Sequence, residues 1–101
     1  MSYPEFDIEQ MDRRFVHELA RLHEIGQFDT YSDLMEQMGL ERGFVTRIEK
    51  GRYHVNVRLL YQVKVLCPQL DLEWVVMGAP ATGRAEPTGW PERQVGRPIR
   101  A

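Results

Sequence analysis

The amino-acid sequence predicts an all-α fold of five helices over residues 1–78, followed by a flexible C-terminal tail over residues 79–101. Three observations carry that prediction. Apolar residues recur at helical steps of three and four through the first part of the chain. Glycines at positions 26, 39, 51 and 78 stand where those runs stop. From Ala79 the composition changes abruptly to APATGRAEPTGWPERQVGRPIRA, with four prolines and no periodic apolar pattern.

The first helix is expected from Ile8 or Glu9 to Ile25, with Asp7 as its N-cap and an inward stripe of Met11, Phe15, Leu19 and Leu22. Gly26 stops it. Gln27 to Thr30 is a short connection in which Phe28 plugs the core, and Thr30 or Ser32 caps the second helix. Leu34, Met35 and Met38 give that helix its apolar spacing before Gly39, which suits a left-handed residue, and Leu40 tucks into the corner. In the third helix Val45 and Ile48 form the buried side, leaving Arg42, Gly43, Phe44, Thr46 and Arg47 to face outward. Gly51 closes it, with Lys50 in the last turn where the helix dipole favours a cation. Arg52 to Val55 reads as a loop, and Asn56 as the N-cap of a fourth helix reaching Leu66 or Cys67, with Val57, Leu60 and Val63 inward. Pro68 ends that helix, and Asp71 caps a short fifth one, Leu72 to Met77, that brings Trp74 onto the bundle.

The stretch YSDLMEQMGLERGFVTRIEKG, Tyr31 to Gly51, is therefore a helix, a glycine turn and a second helix. Two helices crossing at such a turn are the usual device for laying a short helix in the DNA major groove. With the Arg14-Phe15 to Leu19 opening, Leu34 with Gly39-Leu40, the run Val45 to Gly51, Asn56-Val57 with Leu60, and the close PQLDLEWVVMG, the chain resembles the Cro and phage-repressor (Xre-like) helix-turn-helix family over roughly residues 11 to 78. Three positions depart from that family's pattern. Met35 stands where Ala is usual, Tyr31 where Gln often reaches a phosphate, and Glu41 where Ser or Thr often caps the reading helix.

The resemblance implies which residues meet DNA. Arg42 and Arg47 border the outward face, where Arg grips guanine O6 and N7, and Thr46 contacts a base or a thymine methyl. Phe44 either packs on thymine methyls or turns back into the core, and Gly43 allows close backbone approach. Lys50, Arg52, His54 and Asn56 are phosphate candidates through the resemblance, and Tyr31, through its hydroxyl, and Ser32 complete the set.

The formal net charge of -2 hides an uneven distribution. Residues 1–40 carry nine acids against Arg13, Arg14 and Arg21, a balance of -6. Residues 41–66 set Arg42, Arg47, Lys50, Arg52, Arg58 and Lys64 against Glu41 and Glu49, a balance of +4 on and after the reading helix. That is the electrostatic footprint DNA needs. A hydrophobic content of 43% is normal for a globular core, and 101 residues hold one small domain. The single Cys67 excludes an internal disulfide framework and reads as a small buried apolar residue. No apolar run approaches the ~20 residues that span a bilayer, and MSYPEFDIEQMDRR lacks the features of a signal peptide, so a cytoplasmic protein is expected.

Catalysis finds little footing. His17 and His23 stand six apart, not the three or four that align metal ligands on one face, and no Cys or carboxylate completes a set. Neither a glycine-rich phosphate loop with Lys nor a Ser, His and Asp set is present. No catalytic residue, metal or cofactor is assigned. The expected function is a sequence-specific transcriptional regulator, a repressor binding double-stranded DNA as a homodimer on a two-fold operator. The fifth helix, Trp74 and the tail are the candidate dimer elements. The alternatives are an antitoxin that binds DNA and a toxin, or an interaction module that keeps the fold without binding DNA, with Trp90 of the tail as a docking residue. The tail is expected to be dispensable for folding.

Overall fold

In the computed structural model, which describes residues 5–92, the Asp7 carboxylate accepts from the backbone N–H groups of Glu9 and Gln10 and starts helix α1 (Ile8–Glu24). The expected stripe of Met11, Phe15, Leu19 and Leu22 is buried, joined by Val16. Three polar residues of the same helix, Asp12, Arg14 and Glu18, are buried as well. Their spacing spreads burial over more than half of the helix circumference, because later elements close over α1 from two sides.

Thr30, rather than Ser32, caps α2 (Tyr31–Gln37), its hydroxyl accepting from the Asp33 N–H at 3.0 Å. Leu34, Met35 and Met38 enter the core together with Phe28, so the long Met35 side chain is accommodated where the helices meet. Gly39 then takes φ of +73°, a conformation that lets the Leu40 N–H return to the Met35 carbonyl at 2.8 Å. Helix α3 (Phe44–Glu49) begins only after Gly43, and it packs against α1 through Val45 and Ile48.

The late start of α3 corrects one expectation. Phe44 becomes the first helical residue, shares a face with Val45 and Ile48, and is buried against the Tyr53 ring at a centroid distance of 4.6 Å. It is a core residue and does not face outward. In α4 (Val57–Leu66) the Asn56 side chain caps the helix as expected, accepting from the Leu59 N–H at 2.8 Å. The inward face is Leu59, Leu60 and Val63, whereas Val57 is 81% exposed, against expectation. At 3.6 residues per turn, Val57 falls with Tyr61 and Val65 on the side opposite that face.

Asp71 caps α5 (Leu72–Met77) through the Trp74 N–H, and Trp74 is buried. A sixth helix, α6 (Ala79–Thr82), follows at once, so the described residues hold six helices and no strand rather than the five helices expected. Nor is the tail free over the described part. From Gly78 the chain turns back along α1 as far as Trp90, which meets Arg13, and residues 93–101 lie outside the described range. Among the described residues no helix is long and apolar enough to cross a membrane, and no cluster of ligands could hold a metal ion.

Charged residues fasten that returning segment. The Arg84 guanidinium bonds the Glu18 carboxylate at 2.8 Å and Asp71 at 3.1 Å, and lies 3.6 Å over the Trp74 ring. The Trp74 indole N–H donates to the Arg84 carbonyl, so Trp74 is enclosed within the chain's own fold. Glu86 accepts from Arg14 at 2.8 Å, from Gln10 at 3.0 Å and from the Ala79 N–H at 2.7 Å. Gly78 sits under this knot with φ of +77°, where a Cβ would lie 2.9 Å from the Arg14 guanidinium. His17 donates to the Gly89 carbonyl, and Trp90 lies over Arg13.

Candidate nucleic-acid interface

The outward side of α3 and the loop after it carry the cations that the sequence singles out. Arg42, Arg47, Lys50 and Arg52 are exposed, and Arg58 at the start of α4 adds a fifth. Among the described residues only Arg47 of these five is in an ion pair, with Glu41 at 2.9 Å. Both partners are more than half exposed, and such surface pairs contribute about 0–1 kcal/mol. Arg47 can therefore leave Glu41 for a stronger acceptor at little cost.

The remaining candidates divide by what already holds them. Gly43 is exposed with nothing within 4 Å of an added Cβ, so a backbone could approach it closely. Thr46 is half-buried, and Ser32 is exposed at the start of α2. Tyr31 is half-buried in a ring cluster, 5.2 Å from Phe28 and 5.4 Å from His23, so its role is partly structural. Asn56 spends its oxygen on the α4 cap, and its amide N–H donates to the Tyr53 hydroxyl at 2.9 Å. Phe44 is absent from this surface, as described above.

His54 is exposed but tied. Its Nδ1–H donates to Asp12 at 2.6 Å, leaving Nε2 as the atom that could meet a phosphate. The other Asp12 oxygen accepts from the Val55 N–H at 2.8 Å, so one buried carboxylate of α1 fixes the loop between α3 and α4. Beside this loop lies an open cleft of about 240 Å³ walled by Glu9, Asp12, Arg13, Lys50, His54 and Trp90, among others.

Sequence reasoning missed the buried charges of α1. Glu18 has no exposed surface and accepts from Arg21, Arg84 and the Asp71 N–H. Burial raises its carboxyl pKa, but the bonds from Arg21, Asp71 and Arg84 outweigh that effect and hold it below the ordinary value. The Glu86 carboxyl feels the same opposition and is lowered to about 2. The signal that could have found them is the interleaving of Asp12, Arg14 and Glu18 with the apolar stripe, matched by Arg84 and Glu86 in the proline-rich segment. Cys67 is fully buried as expected, and burial pushes its thiol pKa up.

Comparison with family models, with characterised proteins and with solved structures returns no match to this chain.

Proposed function

We propose that this chain is a sequence-specific DNA-binding regulator that reads a duplex with α3 and the loop that follows it. The observation that carries the reading is the run of exposed cations from Arg42 to Arg58 flanking a short helix set on a glycine turn against α1. Phosphate contacts from Lys50, Arg52 and Arg58 would set register, and Arg42, Thr46 and Arg47 would face base edges. Two copies on a two-fold site supply the contact area that a helix of six residues lacks. Two copies seated on a promoter would repress by occluding it.

Selection from a random duplex library, followed by titration at two salt concentrations, tests the proposal. An enriched motif is expected, with log affinity falling against log salt at about -0.9 per phosphate contact. Arg47→Ala should relax preference at one base position at a cost of about 1–3 kcal/mol. Arg52→Ala should weaken all sequences alike and flatten the salt slope by about one contact. No enriched motif and no salt dependence would favour the second reading, a protein-interaction module that keeps the fold without binding DNA, which the exposed apolar residues of α4 support.

A further inference from the structure

We propose that His54 meets a duplex phosphate only as an imidazolium, so that each copy takes up a proton when it binds, and that Asp12 is the positioning residue that imposes this. The coupling rests on the function proposed above, and it makes pH a regulator of the same surface.

Hydrogen bonding at Asp12 fixes the tautomer. Its side chain is 3% exposed, and both carboxylate oxygens are taken. Oδ1 accepts from the Val55 N–H at 2.8 Å, and Oδ2 lies 2.6 Å from His54 Nδ1. A carboxylate only accepts, so the ring nitrogen that faces it carries the hydrogen. A neutral imidazole has a single N–H. Here it is spent on Asp12, and Nε2 of the neutral ring is a bare lone pair.

A phosphodiester oxygen also only accepts. Against a bare Nε2 it meets lone pair with lone pair, and the contact repels. Protonation supplies the missing Nε2–H without breaking the Asp12 bond or turning the ring, and the contact becomes a charged hydrogen bond. The His54 side chain is 44% exposed, so a phosphate has access to it. The charged groups around the ring in the cleft are Glu9, Asp12 and Arg13 of α1 and Glu49 and Lys50 at the end of α3. Among the described residues the returning segment brings only Trp90 there, and Arg52 stands two residues away on the same loop. A phosphodiester entering beside Lys50 adds a negative charge, which favours the imidazolium.

Calorimetric titration of the full chain with a short mixed-sequence duplex at low salt, in two buffers of different ionisation enthalpy, counts the protons taken up. Between about pH 5 and 8, where histidine changes charge, affinity should rise as pH falls, by up to about tenfold per unit for one proton. His54→Gln, whose amide donates at every pH, should flatten the profile and lose the proton. Asp12→Asn should flatten it in another way. The Val55 N–H holds the Asn oxygen, so the amide N–H turns to His54 Nδ1 and leaves Nε2–H on the neutral ring. That variant should bind at pH 8 more tightly than the unaltered chain, an effect that a merely structural role for Asp12 would not give. Thermal melting reports whether it remains folded, and His54→Gln, at an exposed site, decides if it does not. Nitrogen NMR of the free chain at the neutral end should show the Nδ1–H tautomer.

Binding without proton uptake, uptake that His54→Gln leaves unchanged, or an Nε2–H tautomer in the free chain overturns the coupling and leaves DNA binding standing. Uptake on mixed-sequence DNA with no motif enriched from the library sinks sequence-specific regulation and keeps the coupling. A chain that binds no duplex at any of these pH values sinks both.

Discussion

Cutting the chain after Gly78 removes the partners of two buried charges of α1 at once. Glu18 loses Arg84, and Arg14, whose side chain is 8% exposed, loses Glu86. Breaking a buried pair from one side costs about 3–5 kcal/mol when the remaining charge has nothing else. Here it has more. Glu18 keeps Arg21 and the Asp71 N–H, and Arg14 keeps the Val75 and Val76 carbonyls. Water also enters where the segment lay, so each loss falls to about 1 kcal/mol, nearer the worth of one charged hydrogen bond. The Arg84 guanidinium over Trp74 adds about 1 kcal/mol. The total of about 3 kcal/mol lowers the Tm of a domain this small by roughly 12–24 °C. Calorimetry on three chains, full length, ending at Glu92 and ending at Gly78, checks this. The chain ending at Gly78 should melt well below the one ending at Glu92. If the chain ending at Gly78 melts with the other two, the ion pairs contribute nothing net and the segment is the free tail that its composition suggests.

Acid should expose the same network. Glu18 and Glu86 both have folded pKa values below the unfolded 4.5, Glu86 at about 2, so their stabilisation is complete above the unfolded value and is lost as pH falls through the folded one. Tm measured across pH should therefore fall between about pH 5 and 2. Glu86→Gln should remove about 1 kcal/mol of that dependence, because a side chain one-third exposed is screened by solvent. Gly43→Ala should change stability by less than about 0.5 kcal/mol, since its backbone suits Ala while its N-cap position does not. The same variant should weaken binding to a selected duplex, and unchanged affinity would show that no backbone approaches there. Phe44→Ala should destabilise the fold by about 3–5 kcal/mol in urea unfolding, whereas an outward Phe44 would leave the midpoint unmoved.

Helix boundaries were legible in the sequence where a local signal decides them. Asp7, Asn56 and Asp71 cap the helices at which they stand, and Gly39 turns the chain with positive φ. These are short-range effects, set by side chains within three residues of the groups they satisfy. Facing is harder, because a six-residue helix offers less than two turns in which to read a period. Phe44, the first residue of that helix, stands open between facing outward and turning into the core for that reason. Val57 is misplaced for another: steps of three alone, Val57 to Leu60 to Val63, drift across the helix surface, and Leu59 takes the inward place instead. Proline content misled in another way. It correctly argues against a long regular element beyond Gly78, but it is silent on whether an irregular segment docks. Arg84 and Glu86 reach Glu18 and Arg14 across 66 and 72 positions of chain, and only their charges, set against the polar breaks in the stripe of α1, mark it in the sequence.

One helix therefore fixes both the loop beside the candidate interface and the segment that returns from Gly78. Asp12 holds His54 and Val55 in the loop that follows α3, and Arg14 and Glu18, two and six residues further along α1, hold the segment from Arg84 to Glu86. Trp90 at the end of that segment meets Arg13 of the same helix and walls the cleft beside Lys50 and His54. Contacts to a phosphate backbone set register only if the groups that make them are fixed relative to one another. A surface loop supplies no such rigidity by itself. Buried carboxylates on α1 do, because each oxygen that leaves its partner strands a charge or a backbone N–H away from water. Of the polar residues that break the apolar pattern of α1, Asp12 is thus the one that ties the loop of the cationic surface to the core, while Arg14 and Glu18 tie down the returning segment.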